Sequence, residues 1–506
     1  MVKVRSINPS YRLWAVVLLA LALRLIGLTE RPIWHDEGYS LWFSSRDWAY
    51  LWGEVPTFET HPPFYYSLLK MWRGIAGSSE FALRVFSVIA SVLVIPLVYA
   101  SARHAYPGED GKRLGLLAAL LAATWSFQID YAQEARPYAF ISLASAITVC
   151  SACWIFAHRE RLERPFAALI REDRKAIVAM VGLAMGLALL LWLHNVNALF
   201  VAPVGVFLLV WAYSAGNGSG RGFSNLFVNT ALTLALGAAF FAPYVPILWA
   251  QLTSFGKGFW LSQPNLFGLI SRSLEAFGQI RVDTLTPTFT RTVAVVIAGV
   301  PAAIGFALGA LGLLRLGNAY RNRIVLWFCI LAGAGPWLIS VAVTYTVQPV
   351  FLNRTLIAST IPAILITAAV PWCGPKWMRR PGVGFVLVLA GIGLSGAVSR
   401  FTFDAPPSVE NRAFLAELKA SGLPDAPVLV APNSAAFPLI YYAERAGLPN
   451  PITPLPAPYP VRSERYTYPS GNRGVPEVTK ADAERAAAQV ADQPTVFVLK
   501  RNQPRY

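Results

Sequence analysis

The sequence predicts a polytopic α-helical membrane protein of about eleven spans, followed by a small α/β module outside the membrane, and three observations carry that expectation. Of 506 residues, 55% are hydrophobic and only 14% are charged, with a mean hydropathy of +0.48, too apolar for a water-soluble globule. Apolar runs of roughly 20 residues, the length that crosses a bilayer, recur from Leu13 to Ser399. Alternate breaks between these runs are rich in lysine and arginine, as expected when basic loops stay on the cytoplasmic side.

Met1 to Leu28 opens basic and turns apolar like a secretory signal, but no small-x-small cleavage site follows, so it reads as an uncleaved anchor. With Lys3, Arg5 and Arg12 inside, the expected spans are 13–29, 81–101, 114–131, 138–157, 176–194, 196–213, 225–249, 292–314, 324–345, 355–372 and 382–399. The basic breaks then fall inside: Arg103, Lys112 and Arg113; Arg159 through Lys175; Arg221; Arg315, Arg321 and Arg323; and Lys376, Arg379 and Arg380. The other breaks face out: a loop over 30–80, a turn at 132–137, His194 to Asn197, a long loop over 250–291, and Thr346 to Arg354. That long loop, with Lys257, Trp260, Arg272, Arg281 and Asp283, reads either as a lid or as a fixed surface helix.

Two units follow: a membrane domain over 1–400 and a soluble module over 401–506. The module has strand-like Pro427–Ala431 and Thr495–Leu499, a helical stretch near Ala435–Ala446, and irregular Tyr- and Pro-rich sequence from Pro454 to Tyr468. No inverted repeat of the kind found in secondary transporters is visible, and no low-complexity tract.

A net charge of +16 raises the question of nucleic acid, yet the basic residues sit in the breaks between spans rather than on one face, so no nucleic-acid partner is expected. The four cysteines lie within or beside apolar segments and give no disulfide framework. Cys150 and Cys153 form a C-x-x-C, but inside a predicted span with no second ligand pair.

Chemistry concentrates at the outer ends of spans. Trp34-His35-Asp36-Glu37-Gly38-Tyr39, Thr60-His61-Pro62-Pro63, Tyr131-Ala132-Gln133-Glu134-Ala135-Arg136-Pro137-Tyr138 and His194-Asn195 hold three of the five histidines. A charge at the bilayer centre costs roughly 2.5 to 3.5 kcal/mol, and much less at a hydrated interface, so this placement favours interfacial chemistry over a mid-membrane transport path. A carboxylate there can take the proton of an attacking hydroxyl, and Arg136 and Arg354 are suited to a phosphate leaving group. Plainer roles exist: Asp36 or Glu37 as a helix cap, Glu134 with Arg136 as a structural pair, His61 as a loop residue, His194 and Arg354 as interfacial anchors. No cofactor is required by these residues, although His35, Asp36, Glu37, His61 and Glu134 offer ligand types for Zn²⁺, Mn²⁺ or Mg²⁺, with Asp36, Glu134 and His61 the candidate set.

The Trp34–Tyr39, His61-Pro62-Pro63 and Gln133–Tyr138 motifs resemble the glycosyltransferase family 39 and ArnT-like branch of the GT-C superfamily, the branch that includes dolichyl-phosphate-mannose-protein mannosyltransferases. The likeness is strongest over about residues 10–215, continues at Phe351–Thr355, and does not reach the C-terminal module. It implies an inverting hexosyl or pentosyl transfer at the periplasmic face of a bacterial inner membrane. The donor would be a polyprenyl-phosphate-linked sugar and the acceptor a hydroxyl on a lipid, glycan or protein. It also implies Asp36, in the pair with Glu37, as catalytic base, Glu134 with Arg136 as the pair that shapes the donor site, and Arg354 beside the lipid phosphate. The substrate-binding set is then His35, His61, Glu134, Arg136, Tyr138, His194 and Arg354. One departure stands out: His61 occupies the place before the paired prolines where ArnT-like members often carry lysine. Two other functions compete, a transporter or flippase of a polyprenyl-linked glycan and a non-catalytic envelope assembly subunit.

Overall fold

The computed structural model describes residues 9–216, 224–254, 261, 263–279, 288–316, 319–403, 409–461 and 478–500. Lys3, Arg5, Arg221, Lys257, Trp260, Arg281 and Asp283 lie outside them, as do residues 462–468 of the Tyr- and Pro-rich stretch.

Helix α1 (Pro9–Leu25) enters the membrane unit. The outer loop then folds as α2 (His35–Ser45) and the amphipathic α3 (Phe64–Ala76). Next come α4 (Glu80–Ala105), α5 (Glu109–Thr124), α6 (Ser126–Ala132) and α7 (Tyr138–Ala157). Two short helices, α8 (Arg159–Leu162) and α9 (Phe166–Glu172), lead to α10 (Arg174–Leu193), α11 (Ala198–Gly216), α12 (Asn225–Phe241) and α13 (Val245–Ser254). The remaining membrane helices are α14 (Leu266–Phe277), α15 (Thr288–Arg315), α16 (Ala319–Thr346), α17 (Ile357–Ala368) and α18 (Arg379–Phe403). Among the described residues, eight helical segments are long and apolar enough to cross a membrane, or nine when the bent pair α5 and α6 counts as one. This is a multi-pass membrane protein, and each of the expected spans is helical.

Two spans differ from the continuous helices expected. The 114–131 span breaks at Trp125, where α5 and α6 meet at 55°. A break strands carbonyls that apolar surroundings cannot satisfy. Here Arg24 of α1, 1% exposed, donates to the Ala122 and Ala123 carbonyls at 3.1 and 3.0 Å and to Ser91 Oγ at 2.7 Å. The 225–249 span passes through a 3₁₀ turn, Ala242–Tyr244, where Pro243 and Pro246 remove backbone donors. The loop at 250–291 contains α14, docked rather than dangling: Arg272 donates to the Phe351 carbonyl at 3.0 Å, and Asn353 donates to Glu275 at 2.5 Å. Residues 266–277 are thus helical, as the surface-helix alternative expects.

Helix α17 lies at the centre. Every residue from Leu356 to Cys373 is buried, as a largely apolar helix enclosed by others should be. Small residues let neighbours approach: a Cβ on Gly309 or Gly312 of α15 would strike the carbonyls of Ile366 and Ala369 within 2.0 Å.

The C-terminal module is a three-stranded parallel sheet in the order β2-β1-β3, with β1 Val428–Ala431, β2 Ile452–Pro454 and β3 Phe497–Lys500. Helices α19 (Val409–Ala420), α20 (Ala436–Ala446) and α21 (Lys480–Gln489) surround it, α20 crossing from β1 to β2 and α21 preceding β3. The sequence reading found β1, α20 and β3. It missed α19, β2, three residues ending in the proline that opens the irregular stretch, and α21, which buries only Asp482 and Ala486. The module rests on α2: a Cβ at Gly38 would lie 2.9 Å from Phe437 Cβ. Tyr441 donates to the Ser78 carbonyl, Ile33 N–H to Tyr442, and Arg412 to Glu80 at 2.8 Å.

Replacing Gly38 with valine is therefore expected to push α20 away from α2 at a cost of about 1 to 3 kcal/mol. Limited proteolysis in detergent reads this as faster release of the module, and an unchanged cleavage rate would contradict the close packing.

Candidate active site

The first outer loop reads Trp34-His35-Asp36-Glu37, and placing this run in the first turn of α2 points its two carboxylates in different directions, since successive helical residues differ by about 100°. Glu37 turns inward and is 0% exposed. Arg84 of α4 grips it at 2.8 and 2.7 Å, while the backbone N–H groups of Ala135 and Trp34 donate to it at 2.9 and 3.3 Å. Arg84 in turn donates to the carbonyls of Leu28, Arg31 and Pro32. With both oxygens and the guanidinium occupied in this way, Glu37 is a structural anchor in the geometry observed. Arg84, a charged side chain inside an apolar span, was the sequence signal for that pair and was overlooked.

Asp36 turns the other way, between two arginines from distant parts of the chain. Arg354, in the short helical turn before α17, donates to Asp36 Oδ2 at 2.9 Å. Arg136, on the turn between α6 and α7, lies 4.0 Å from the same oxygen and donates to the Asp36 carbonyl at 3.2 Å and to Ser40 Oγ at 3.3 Å. Side-chain exposure falls from 21% at Arg354 and 18% at Asp36 to 6% at Arg136, so the group opens at its Arg354 side. Burial alone would push the Asp36 carboxyl up, but Arg136 and Arg354, with His35 and His61, outweigh it and bring the value down to about 2.

A second group adjoins this one. His61 Nδ1 lies 2.5 Å from Glu59 Oε1, and the His61 N–H donates to the same oxygen at 2.9 Å. The His61 and His194 rings meet edge to face with centroids 4.4 Å apart. Gln251 of α13 donates to the carbonyls of Pro56 and Glu59, and Asn195 donates to the Thr60 carbonyl, so the loop before Pro62 is fixed from two sides. His61 Nε2, Asn195 Oδ1 and Arg136 Nε are buried without hydrogen-bond partners. Buried polar atoms are normally satisfied, so three such atoms around one locus mark where a polar ligand can be received. Glu59 and Gln251 were missed by the sequence reading; the Glu-x-His spacing was the available signal for the first, and none existed for the second.

The other expected residues fall as follows. His35 packs edge to face on Tyr39 at 5.0 Å, and Arg136 lies 5.9 Å from the ring centroid of the buried Tyr138. Glu134 is half-buried, and its carbonyl accepts from Ser87 Oγ at 2.6 Å. Asp36, His61 and Glu134 are not gathered as metal ligands: among the described residues no three His, Cys, Asp or Glu side chains come together in that way. Asp36 and His61 are committed instead to Arg354 and Glu59, cation and carboxylate partners that ligand geometry would have to displace.

No protein-family model matches the chain, and no curated protein matches its sequence. Solved structures do match its fold. ArnT from Cupriavidus metallidurans in the apo state aligns with a TM-score of 0.56 at 14% identity, covering 97% of this chain and 89% of that one. The same protein bound to undecaprenyl phosphate aligns at 0.52 and 16% identity, covering 96% and 89%. The Archaeoglobus fulgidus oligosaccharyltransferase in the apo form aligns at 0.51 and 12% identity, covering 91% of this chain but 65% of that one. The chain thus has the GT-C fold.

Two outcomes follow from the charges. Arg84→Ala strands Glu37 as a buried, uncompensated charge, and thermal unfolding in detergent is expected to show a loss of about 3 to 5 kcal/mol; a variant as stable as wild type would remove the anchor role. His194 is held well below the usual histidine range, first by burial and then by the charges of His61, Arg354 and Arg136. The unfolded chain binds that proton near pH 6.5 and the folded chain does not, so stability is full above about pH 6.5 and declines as pH falls below it. A His194→Asn variant should show a flatter decline in unfolding temperature between about pH 7.5 and 5.5; equal slopes would discard this assignment.

Proposed function

We propose that the chain is an inverting glycosyltransferase that takes a sugar from a polyprenyl-phosphate donor and places it on a hydroxyl of a lipid, glycan or protein acceptor. The observation that supports this reading best is Asp36 paired with Arg354 beside Arg136, one carboxylate and two guanidiniums brought together from three distant parts of the chain. The GT-C fold, and the undecaprenyl phosphate bound by one structure that shares it, add to the support.

In this reading the acceptor oxygen attacks the anomeric carbon from the face opposite the phosphate. The new bond to carbon forms as the bond to the phosphate oxygen breaks, and the pair of electrons leaves with the polyprenyl phosphate. The acceptor proton passes to Asp36. A carboxyl held near 2 is a weak base, since proton transfer is most efficient when the acceptor's value lies near the working pH. The donor phosphate resolves this by competing for Arg354: as the guanidinium turns to the phosphate, Asp36 loses its strongest contact and gains basicity. Arg136 stays with the leaving phosphate, and His61 Nε2 and Asn195 Oδ1 are the remaining polar groups at hand for sugar or phosphate. Glu134 and Tyr138 shape the wall beside Arg136. Membrane lipids surround the spans, and the reading puts this end of the bundle on the periplasmic face of a bacterial inner membrane, with the N-terminus cytoplasmic, the membrane domain ending near residue 400 and the module of 401–506 outside.

The test supplies radiolabelled polyprenyl-phosphate sugars and a membrane extract to purified protein, comparing wild type with Asp36→Asn and Arg354→Ala. Wild type should transfer label. Asp36→Asn should lose at least about 100-fold, the lower range for a positioned proton acceptor, while keeping its unfolding temperature. Translocation of the labelled donor without a new glycosidic bond would instead favour a flippase.

A further inference from the structure

At the end of the bundle opposite Asp36 the chain makes a second, unrelated site. Helix α17 and its flanking turns run from Asn353 to Trp372, 20 residues of largely helical chain, so Arg354 and Trp372 lie about 30 Å apart, on opposite faces of a bilayer. Around Trp372 the N-terminal half of α5, the turn after α17 and the start of α18 leave a slot of about 220 Å³ lined by Arg113, Leu116, Leu117, Trp372, Arg379 and Val383, with Pro371 beside them. The slot is open because α18 is pinned close to the turn on its other side: a Cβ on Gly382 would lie 2.6 Å from Pro371 Cα. Arg315 of α15 caps the Cys373 carbonyl and holds the turn from behind.

Three features give this slot a chemistry. Its walls are apolar side chains of α5 and α18. Its rim carries two arginines against one carboxylate. Arg113 is exposed and makes no hydrogen bond or ion pair among the described residues, and Arg379 forms an ion pair with Asp110 through two contacts of 3.4 Å. The third feature is Trp372: the residue is 6% exposed and lines the slot, and its Nε1–H is buried without a hydrogen-bond acceptor among the described residues. An unsatisfied buried donor costs about 1 to 3 kcal/mol, so an acceptor on a ligand is strongly favoured there. Trp377, 73% exposed on the neighbouring turn, sits where aromatic residues mark the headgroup level of a membrane.

We propose that this slot binds an anionic glycerophospholipid of the leaflet opposite the candidate active site. The lipid phosphate lies between Arg113 and Arg379, an ester carbonyl accepts from Trp372 Nε1–H, and one acyl chain runs along Leu116, Leu117 and Val383. Basic pockets between membrane helices at the interface recognise anionic headgroups in this way, whereas a lipid with no net charge gains nothing from the two guanidiniums.

The test reconstitutes the full chain in nanodiscs of phosphatidylcholine with phosphatidylglycerol and counts retained lipid by native mass spectrometry. Wild type should retain phosphatidylglycerol in preference to phosphatidylcholine. Arg113→Gln should weaken that preference about fivefold and the Arg113→Gln, Arg379→Gln double variant about thirtyfold, from the contribution of each basic group near a charged surface. Trp372→Phe, which keeps the ring and removes the donor, should weaken retention of both lipids. Arg323→Gln, an exposed arginine at the start of α16 away from the slot, should change nothing. Equal retention of the two lipids by wild type would overturn the proposal. So would an equal effect from Arg323→Gln, which would reduce the site to general surface charge, or displacement of the lipid by inorganic phosphate alone. Glycosyl transfer enters none of these readouts, so the outcome is independent of the proposed reaction.

Discussion

The buried pair of Glu37 and Arg84 is the constraint on which the Asp36 end of this protein depends. Taking two charges out of water costs several kcal/mol each, and their attraction repays that only when the remaining hydrogen-bonding capacity is also filled. Here it is filled from four places at once. Glu37 accepts from Arg84 and from the N–H groups of Trp34 and Ala135, while Arg84 donates to carbonyls of the α1–α2 connection. The connection, α2, α4 and the turn that carries Arg136 therefore cannot move independently. Rotating α2 to free Glu37 would break all of these contacts together, so the direction of its neighbour Asp36 is set by the buried pair.

Arg24 does the same work one layer deeper. A bend in a membrane helix exposes carbonyls to an apolar surrounding, and the bend between α5 and α6 is tolerated because a cation from α1 reaches the carbonyls it leaves unpaired. Gln133, at the far end of α6, donates back to the carbonyls of Arg24 and Ile26. The bend is thus stitched at both ends to α1, and it aims the chain at the turn where Ala135 and Arg136 meet α2. Both arginines lie within predicted spans, where a positive charge ordinarily argues against a span, and both act as connectors between segments rather than as contacts to solvent.

This explains which features could be read in the sequence. Span positions were legible because a bilayer imposes a length on apolar runs, and the outer clusters were legible because ionisable residues are scarce there and stand out. The partition between Asp36 and Glu37 was not legible: both occupy the first turn of one helix, and the choice was made by Arg84, 47 residues away. Arg354 was legible as a cation at a span end, but its partner was not, since 318 residues separate it from Asp36. Glu59 was passed over because a single carboxylate two residues before a histidine carries little weight until the loop is seen folded onto His194. The strand β2 was hidden by its own proline, and the bend at Trp125 by the absence of any proline or glycine there.

The enclosure of α17 decides where movement can occur when a ligand arrives. A helix buried along its whole length has no lipid-facing side on which to slide, and glycines of α15 leave no slack against it. Its N-terminal end is tied by Asn353 to Glu275 and by Arg354 to Asp36, and its C-terminal end by Arg315 to the Cys373 carbonyl. Any adjustment at Arg354 must therefore be made by the side chain, or by α14, the one partner at this end that lies on the surface, with Leu266 71% and Phe267 41% exposed. Because Arg272 of α14 holds the Phe351 carbonyl and Glu275 the side chain of Asn353, on either side of Leu352, a shift of this amphipathic helix would reach Arg354 through two bonds. The pairing that holds Asp36 is accordingly anchored on one side by a buried core helix and on the other by an amphipathic helix with an exposed apolar face, so the adjustable half of the site is the one that α14 carries.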